Sequence, residues 1–267
     1  MTKLIAEIGW NHMGDMKLAK EMILAAKESG CDFAKFQTWS VDRLKPGVWD
    51  TDGRREIYEK AELNLDKHFE LKEYCDKVGI GFMSSVFSIE DAKLLKQVVT
   101  DYVKIPSFES RNKELINYCN KNFDKLLIST GTSTWDEIRV VTEHLSCDEF
   151  VLLHCVSSYP CDFDIVNLPR LDSLKSICCG KVGFSDHTKG IESSIIALGY
   201  GLDYIEKHFT IDNDLPGRDN KFAILPNDMK KLSGYIKIAN KVMDNKGTDY
   251  QGCETDSREN YTGRFNG

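Results

Sequence analysis

No apolar run in this chain approaches the roughly 20 residues a helix needs to cross a bilayer, which argues against a helical membrane protein. A strand-like segment starts at Lys3, leaving no room for a signal peptide, so a cytoplasmic location is expected. There is no CxxC pair. The nine cysteines, Cys31, Cys75, Cys119, Cys147, Cys155, Cys161, Cys178, Cys179 and Cys253, are scattered and mostly lie in apolar segments. Such a pattern reads as reduced thiols and not as a disulfide framework. There is no excess of positive charge either: the net charge is −7, which speaks against nucleic acid as a main partner. No internal repeat or low-complexity tract interrupts the 267 residues, and 41% hydrophobic content suits one barrel or at most two ordinary domains.

What the chain does have is eight short apolar segments that read as strands, at residues 3–9, 33–38, 81–87, 102–107, 126–131, 150–155, 182–187 and 204–210. Helical patterns alternate with them at 16–29, 65–78, 90–98, 113–120, 135–144, 168–177, 191–201 and 227–243. Ser88, Thr134 and Asn227 stand as candidate N-caps, the first two followed three residues later by Asp91 and Glu137. Eight β-then-α units predict an α/β fold of the (β/α)8 TIM-barrel type over residues 1–244. An open doubly wound sheet is the alternative, but it needs functional residues at only a few strand ends. Residues 40–63 are long and charged and read as an active-site loop or lid. Residues 245–267 read as a polar tail or truncated linker.

Barrel enzymes build their sites from the C-terminal ends of their strands, and most of the unusual polar residues here sit at those ends. Side chains at i and i+2 share a strand face, which groups Lys35 with Gln37, Ser185 with His187, and Glu206 with His208, while Lys207 turns toward the helices. Lys35 and Lys104 interrupt apolar strands and need an anionic partner. That partner is either a carboxylate across the barrel mouth or a bound phosphate or carboxylate assisted by Ser107, Ser129 and Ser185. His187 and His208 end adjacent strands and suit a divalent ion with open positions, whereas His154 reads as a core residue. Glu7 is either paired with Lys35 or serves as an acid or base. Asn11, His12 and Gly14 form the turn after the first strand. Glu109 and Asp219 can accept from substrate hydroxyls or be ordinary loop acids, and Tyr159 walls the pocket or simply packs.

The ordered series AEIGWNHMGD, FAKFQTW, the stretch from REIYEKAELNL to GFMSSVFS, LLISTGTS, LLHCVSSYP, VGFSDHT and IEKHFT resembles the N-acetylneuraminate (sialic acid) synthase family, which includes legionaminate and pseudaminate synthases. The resemblance covers residues 5–226. It implies condensation of phosphoenolpyruvate with an N-acylmannosamine-type aldose to give a nine-carbon 2-keto sugar acid and phosphate. It implies a divalent metal, Mn²⁺ before Mg²⁺ or Co²⁺, on His187 and His208. It implies catalytic roles for Glu7, Lys35 and Lys104 and hydroxyl contacts at Ser85, Ser107, Ser129 and Ser185. Sugar-side contacts fall to Gln37, Glu109, Tyr159 and Asp219.

There are departures from the family pattern. Ser85 replaces a threonine, Ser157 an asparagine and Phe108 a glycine, and GRDN stands for the common G.DH. Relatives continue into a small antifreeze-protein-like domain that crosses to the partner barrel of a homodimer and supplies an arginine to the sugar. This sequence stops where that linker would begin. The acceptor site is therefore expected to be open, completed by a separate protein, or served by Arg258 or Arg264. No added Arg or Lys cluster is apparent at the strand ends, which favours a non-phosphorylated acceptor over the octulosonate phosphate type. A non-catalytic sugar-binding barrel is the reading from another class.

Overall fold

Eight parallel strands close into a barrel in sequence order, each hydrogen-bonded to the next and β8 to β1. They are β1 (Lys3–Gly9), β2 (Phe33–Thr38), β3 (Gly81–Val86), β4 (Tyr102–Ile105), β5 (Lys125–Ser129), β6 (Phe150–Cys155), β7 (Val182–Asp186) and β8 (Tyr204–His208). The computed structural model describes residues 1–146 and 150–266, so Cys147 and Gly267 lie outside the described residues. The helices are α1 (Met16–Glu28), α2 (Arg54–Ala61), α3 (Leu65–Val78), α4 (Ile89–Lys96), α5 (Lys113–Asn122), α6 (Trp135–Thr142), α7 (Arg170–Lys175), α8 (Glu192–Ala197), α9 (Pro226–Val242) and α10 (Thr255–Asn260). The (β/α)8 architecture expected from the alternation is the one observed. No helix among the described residues is long and apolar enough to cross a membrane.

Strand alternation divides the core in two. One set of apolar side chains points outward and packs against the helices. A second set, Ile5, Phe33, Met83, Leu127, Val151, Leu153 and Tyr204, plugs the lower interior. Above that plug the inward positions turn polar, and the site begins there. Lys207, on the outward parity of β8, is buried against the helix layer and pairs with Asp186 at 2.9 Å. Asp186 also accepts from Thr188, Ser193 and Ser194, so this outward charge is fully partnered.

Several local expectations need correction. Asn227 does not cap α9: Leu225 is the N-cap and Pro226 the first helical residue, a position where the missing N–H costs nothing. β4 ends at Ile105, before Ser107, because Pro106 cannot donate to the ladder. The 40–63 loop contains two short 3-10 turns and α2, whose amphipathic signal is faint in a charged sequence. The tail carries one short helix, α10. Cys31, Cys75, Cys119, Cys155, Cys161, Cys178 and Cys253 are free, but Cys179 is disulfide-bonded, so the reading of thiols throughout fails at that residue.

His154 is the core residue expected, stacked on Phe184 with its Nε2–H donating to the Val166 carbonyl at 2.6 Å. Burial pushes its imidazole down to about 4. The unfolded chain, at about 6.5, takes up a proton that the folded chain refuses between those values. Stability is therefore lost as pH falls from 6.5 toward 4, by about 2 kcal/mol from this group between pH 7 and pH 5. Urea unfolding of a His154→Gln variant should show a pH dependence shallower by that amount, and an unchanged slope overturns the assignment.

Candidate active site

A cavity of about 760 Å³ opens at the C-terminal ends of the strands. Every residue expected in the site lines it except Ser157. Its floor is a chain of four buried charges from four strands. Lys35 Nζ lies 2.7 Å from Glu7 Oε2 and 3.6 Å from Glu206 Oε2, and Lys104 Nζ donates to both Glu206 oxygens at 2.8 and 2.9 Å. Strand register explains the meeting: Glu7 is opposite Lys35, Ser85 opposite Lys104, and Ser185 opposite Glu206. Lys35 donates to Ser85 Oγ at 2.8 Å, Ser185 Oγ to Glu206 at 2.9 Å, and Gln37 Nε2 to Glu7 Oε1 at 2.7 Å. Of the two partners open to the lysines on sequence grounds, the structure contains the carboxylates.

Glu206 is the functional residue that sequence reasoning missed as a partner. The signal was present, since it shares a face with His208, but the sequence does not reveal a contact with β4 across the barrel. Burial alone would raise its carboxyl, but Lys104 and then Lys35 hold it well below the ordinary range. At Glu7 burial outweighs Lys35, and the carboxyl is raised. Burial would lower Lys35, yet Glu206 and Glu7 raise it. At Lys104 burial prevails, and the ammonium is lowered. The floor thus sets Glu7, whose carboxyl burial raises, beside Glu206, whose carboxyl the two lysines hold low.

The two histidines stand above this floor with ring centroids 5.4 Å apart. His187 Nδ1–H donates to the Val156 carbonyl at 2.7 Å, leaving Nε2 for the cavity. Burial, then the neighbouring His187, pushes the His208 imidazole well below its usual value, and its buried Nδ1 has no hydrogen-bond partner. Such a neutral, unpartnered nitrogen beside an oriented imidazole fits a divalent ion. Among the described residues no group of three or more His, Cys, Asp or Glu gathers as a ligand set. The protein would therefore give two nitrogens and leave the other positions to substrate or water. Tyr159 packs on both rings at 4.2 and 5.9 Å. Cys155 lies 3.8 Å from His187 Nδ1; burial would raise its thiol, but His187 brings it down to about 7.

The remaining expected residues divide by environment. Asp219 is fixed by Trp10 Nε1–H at 2.7 Å, and burial raises its carboxyl despite that bond. Glu109 accepts from Asn112 at 2.9 Å and faces the cavity, as do Ser107 and Ser129. Ser157 Oγ is buried, and Ser157 does not line the cavity. Asn11 and His12 turn away: Asn11 donates to the Phe209 carbonyl, and His12 Nδ1 accepts from Gly14 N–H. Gly14, at φ 82, is fixed by the lid as well as by its backbone angle, since a Cβ there would run into the Lys60 carbonyl of α2.

The tail arginines do not reach the cavity: Arg258 stacks on Tyr250 at 4.6 Å, and Arg264 lies against Tyr261 and Phe265. The mouth instead carries Arg43, Lys45, Arg54 and Arg218, which correct the expectation of no added cations there. Arg43 pairs with buried Asp91 and Arg54 with Asp52, while Lys45 and Arg218 have no ion pair among the described residues. Phe108, the residue in place of a family glycine, stands at the mouth 59% exposed.

Fold and cavity together define a barrel with an enzyme-like polar centre at its strand ends. The chain belongs to the NeuB family, whose profile matches residues 22–248. It is 37% identical over 258 residues to N,N'-diacetyllegionaminic acid synthase of Legionella pneumophila, covering 90% of this chain and 72% of that one. It is 36% identical to N,N'-diacetyllegionaminic acid synthase of Campylobacter jejuni, over 91% of this chain and 77% of the relative. The crystal structure of N-acetylneuraminic acid (sialic acid) synthetase from Leptospira borgpetersenii, in complex with citrate, superposes with a TM-score of 0.89. That match has 29% identity and covers 98% of this chain and 91% of that one.

Two expected outcomes follow from the geometry. Glu206→Ala strands Lys104 without a partner and should destabilise the fold by about 3–5 kcal/mol in urea unfolding; a loss below about 1 kcal/mol would show that the quartet is not closed. Truncation after residue 244 should leave acceptor KM unchanged, because neither tail arginine lines the cavity. A several-fold rise would restore a role for the tail.

Proposed function

We propose that this barrel condenses phosphoenolpyruvate with an N-acylmannosamine-type aldose, forming a nine-carbon 2-keto sugar acid and inorganic phosphate. The observation that carries it is the charge-balanced floor of Glu7, Lys35, Glu206 and Lys104 beneath His187 and His208, in a chain of the NeuB family. In this reading Lys35 and Lys104 bind the carboxylate and phosphate of phosphoenolpyruvate, and Ser85, Ser107, Ser129 and Ser185 direct hydroxyls at the same anion. His187 and His208 would hold a divalent ion, Mn²⁺ in the first instance, which when bound polarises the acceptor aldehyde.

The enol carbon bonds to the aldehyde carbon, and the aldehyde oxygen takes up a proton. Water adds at the cationic carbon that results. Phosphate then leaves with cleavage of its C–O bond, so one water is consumed overall. Glu7 lies beside this centre with a raised carboxyl and can take the proton that water releases. Glu206 stays ionised and holds both lysines in place. Gln37, Glu109, Tyr159 and Asp219 orient the acceptor.

A cytoplasmic homodimer, or a separate protein covering the mouth, completes the proposal. The exposed ring of Phe108 at the rim supports such a cover. A second reading, a phosphorylated acceptor, is supported by Lys45 and Arg218 at the mouth.

The test is phosphate release from phosphoenolpyruvate with Mn²⁺ and a panel of mannose-type acceptors, including 6-phosphates, with product masses. Acceptor-dependent release and a keto acid of matching mass are expected. No acceptor-dependent release from any acceptor, in protein that folds and binds Mn²⁺, overturns the reading in favour of a binding barrel. Replacing His187 and His208 together by Ala should abolish Mn²⁺ binding in calorimetry. Undiminished affinity removes them as ligands.

A further inference from the structure

The turn that leads from β5 toward α6, residues 130–133, is uncharged and small, yet it is held from several sides. It follows directly on Ser129, which lines the cavity. Thr132 lies in the left-handed region at φ 62, a costly conformation for a β-branched residue and one that needs outside support. Gly131 is pressed toward the site: a Cβ there would meet Ser157 Oγ at 2.4 Å, Ser107 Oγ at 2.7 Å and Cys155 Sγ at 3.2 Å. Thr132 Oγ1 donates to the Ser107 carbonyl at 3.4 Å, and the Ser133 and Ser110 hydroxyls meet at 2.7 Å. The turn therefore carries Ser129 at its start and holds Ser107 at its side.

One side chain behind the cavity ties the two ends of this turn together. Arg170, the first residue of α7, does not line the cavity. A single guanidinium nitrogen, Nη2, donates to the Thr130 carbonyl at 3.2 Å and to the Ser133 carbonyl at 3.1 Å. Two carbonyl dipoles that converge on one point repel each other. A donor between them makes the arrangement favourable, and a cationic donor does so more strongly than a neutral one. Without it the two carbonyls part, and the left-handed bend at Thr132 loses the tie that favours it. Ser129 and Ser107 then lose their mutual placement.

We propose that Arg170 is a positioning residue for phosphoenolpyruvate: it clamps the 130–133 turn so that the Ser129 and Ser107 hydroxyls stay aimed at the anion. This inference rests on the synthase reading above. The clamp bears on one substrate. Gln37 lies on β2, Tyr159 and Asp219 follow β6 and β8, and the two histidines stand at the ends of β7 and β8, all away from the turn. Glu109 shares a 3-10 turn with Ser107, but its carboxylate is fixed separately by Asn112 at 2.9 Å. A residue that merely held the fold together would weaken both substrates alike. A residue that sets the direction of two hydroxyls weakens the substrate those hydroxyls meet.

Arg170→Ala removes the clamp and leaves every residue of the cavity lining in place. Its KM for phosphoenolpyruvate should rise about tenfold, while kcat, the acceptor KM and Mn²⁺ affinity stay close to those of the unaltered protein. An unchanged phosphoenolpyruvate KM, or a loss shared equally by both substrates, overturns the clamp. If Arg170→Ala does not fold, Arg170→Lys keeps the charge on a shorter arm and should show the same selective rise. An unchanged KM in that variant is equally decisive against the clamp. Calorimetric titration with phosphoenolpyruvate alone tells the two possible failures apart. No binding by the unaltered protein counts against the synthase reading and takes the clamp with it. Equal binding by the unaltered protein and by Arg170→Ala counts against the clamp only.

Discussion

Four charges that could not be buried singly are buried together. Lys35 and Lys104 lie at 2% exposure inside a barrel whose lower half is hydrocarbon, and neither ammonium would persist there without Glu7 and Glu206. Each member comes from a different strand, so the quartet forms only when β1, β2, β4 and β8 are in register around a closed barrel. Closure and charge balance are one condition. The apolar plug fills the interior below, and Ser85 and Ser185 add hydrogen bonds to Lys35 and Glu206. An incoming anion meets cations already fixed in place, and reorientation costs it little.

The same constraint explains the lid. A floor this desolvated acts only if its upper side can also be shielded, and α2 is held where it can do so. Tyr58 packs between Trp10 and Trp39, the Lys60 carbonyl sits against Gly14, and Glu62 accepts from Val41 N–H at the start of the loop. Arg43 ties the loop to buried Asp91 on α4. The segment that reads as excess charge in the sequence is therefore closed on itself by Glu62 and Val41 and fastened to the barrel at three points.

What the sequence disclosed and what it withheld follow from the range of each interaction. Strand positions and parity are local, and with them came the barrel, the inward pairs Lys35 and Gln37, Ser185 and His187, Glu206 and His208, and the outward Lys207. Contacts across the barrel are not local. Nothing in IEKHFT shows that Glu206 reaches Lys104, 102 residues earlier in the chain. The cations of the mouth escaped notice for a related reason: Arg43, Lys45 and Arg54 lie in one loop and Arg218 in another, and only closure of the barrel brings them to one rim. Asn227 failed as a cap because Pro226 starts the helix one residue earlier, a stereochemical effect that outweighs a side-chain preference.

Unpaired groups complete the argument about where substrate belongs. The floor is charge-balanced within itself, and both of its lysines line the cavity. The outward charges on β7 and β8 are closed as well, Asp186 by five donors from Lys207, Thr188, Ser193 and Ser194. Of the buried side-chain atoms without hydrogen-bond partners among the described residues, Glu7 Oε2, Trp39 Nε1 and His208 Nδ1 belong to residues that line the cavity, while His12 Nε2, Asn120 Oδ1, His154 Nδ1 and Ser157 Oγ do not. Unmet bonding alone therefore does not locate substrate; it does so at His208 Nδ1, where it coincides with the oriented His187 imidazole above the charged floor.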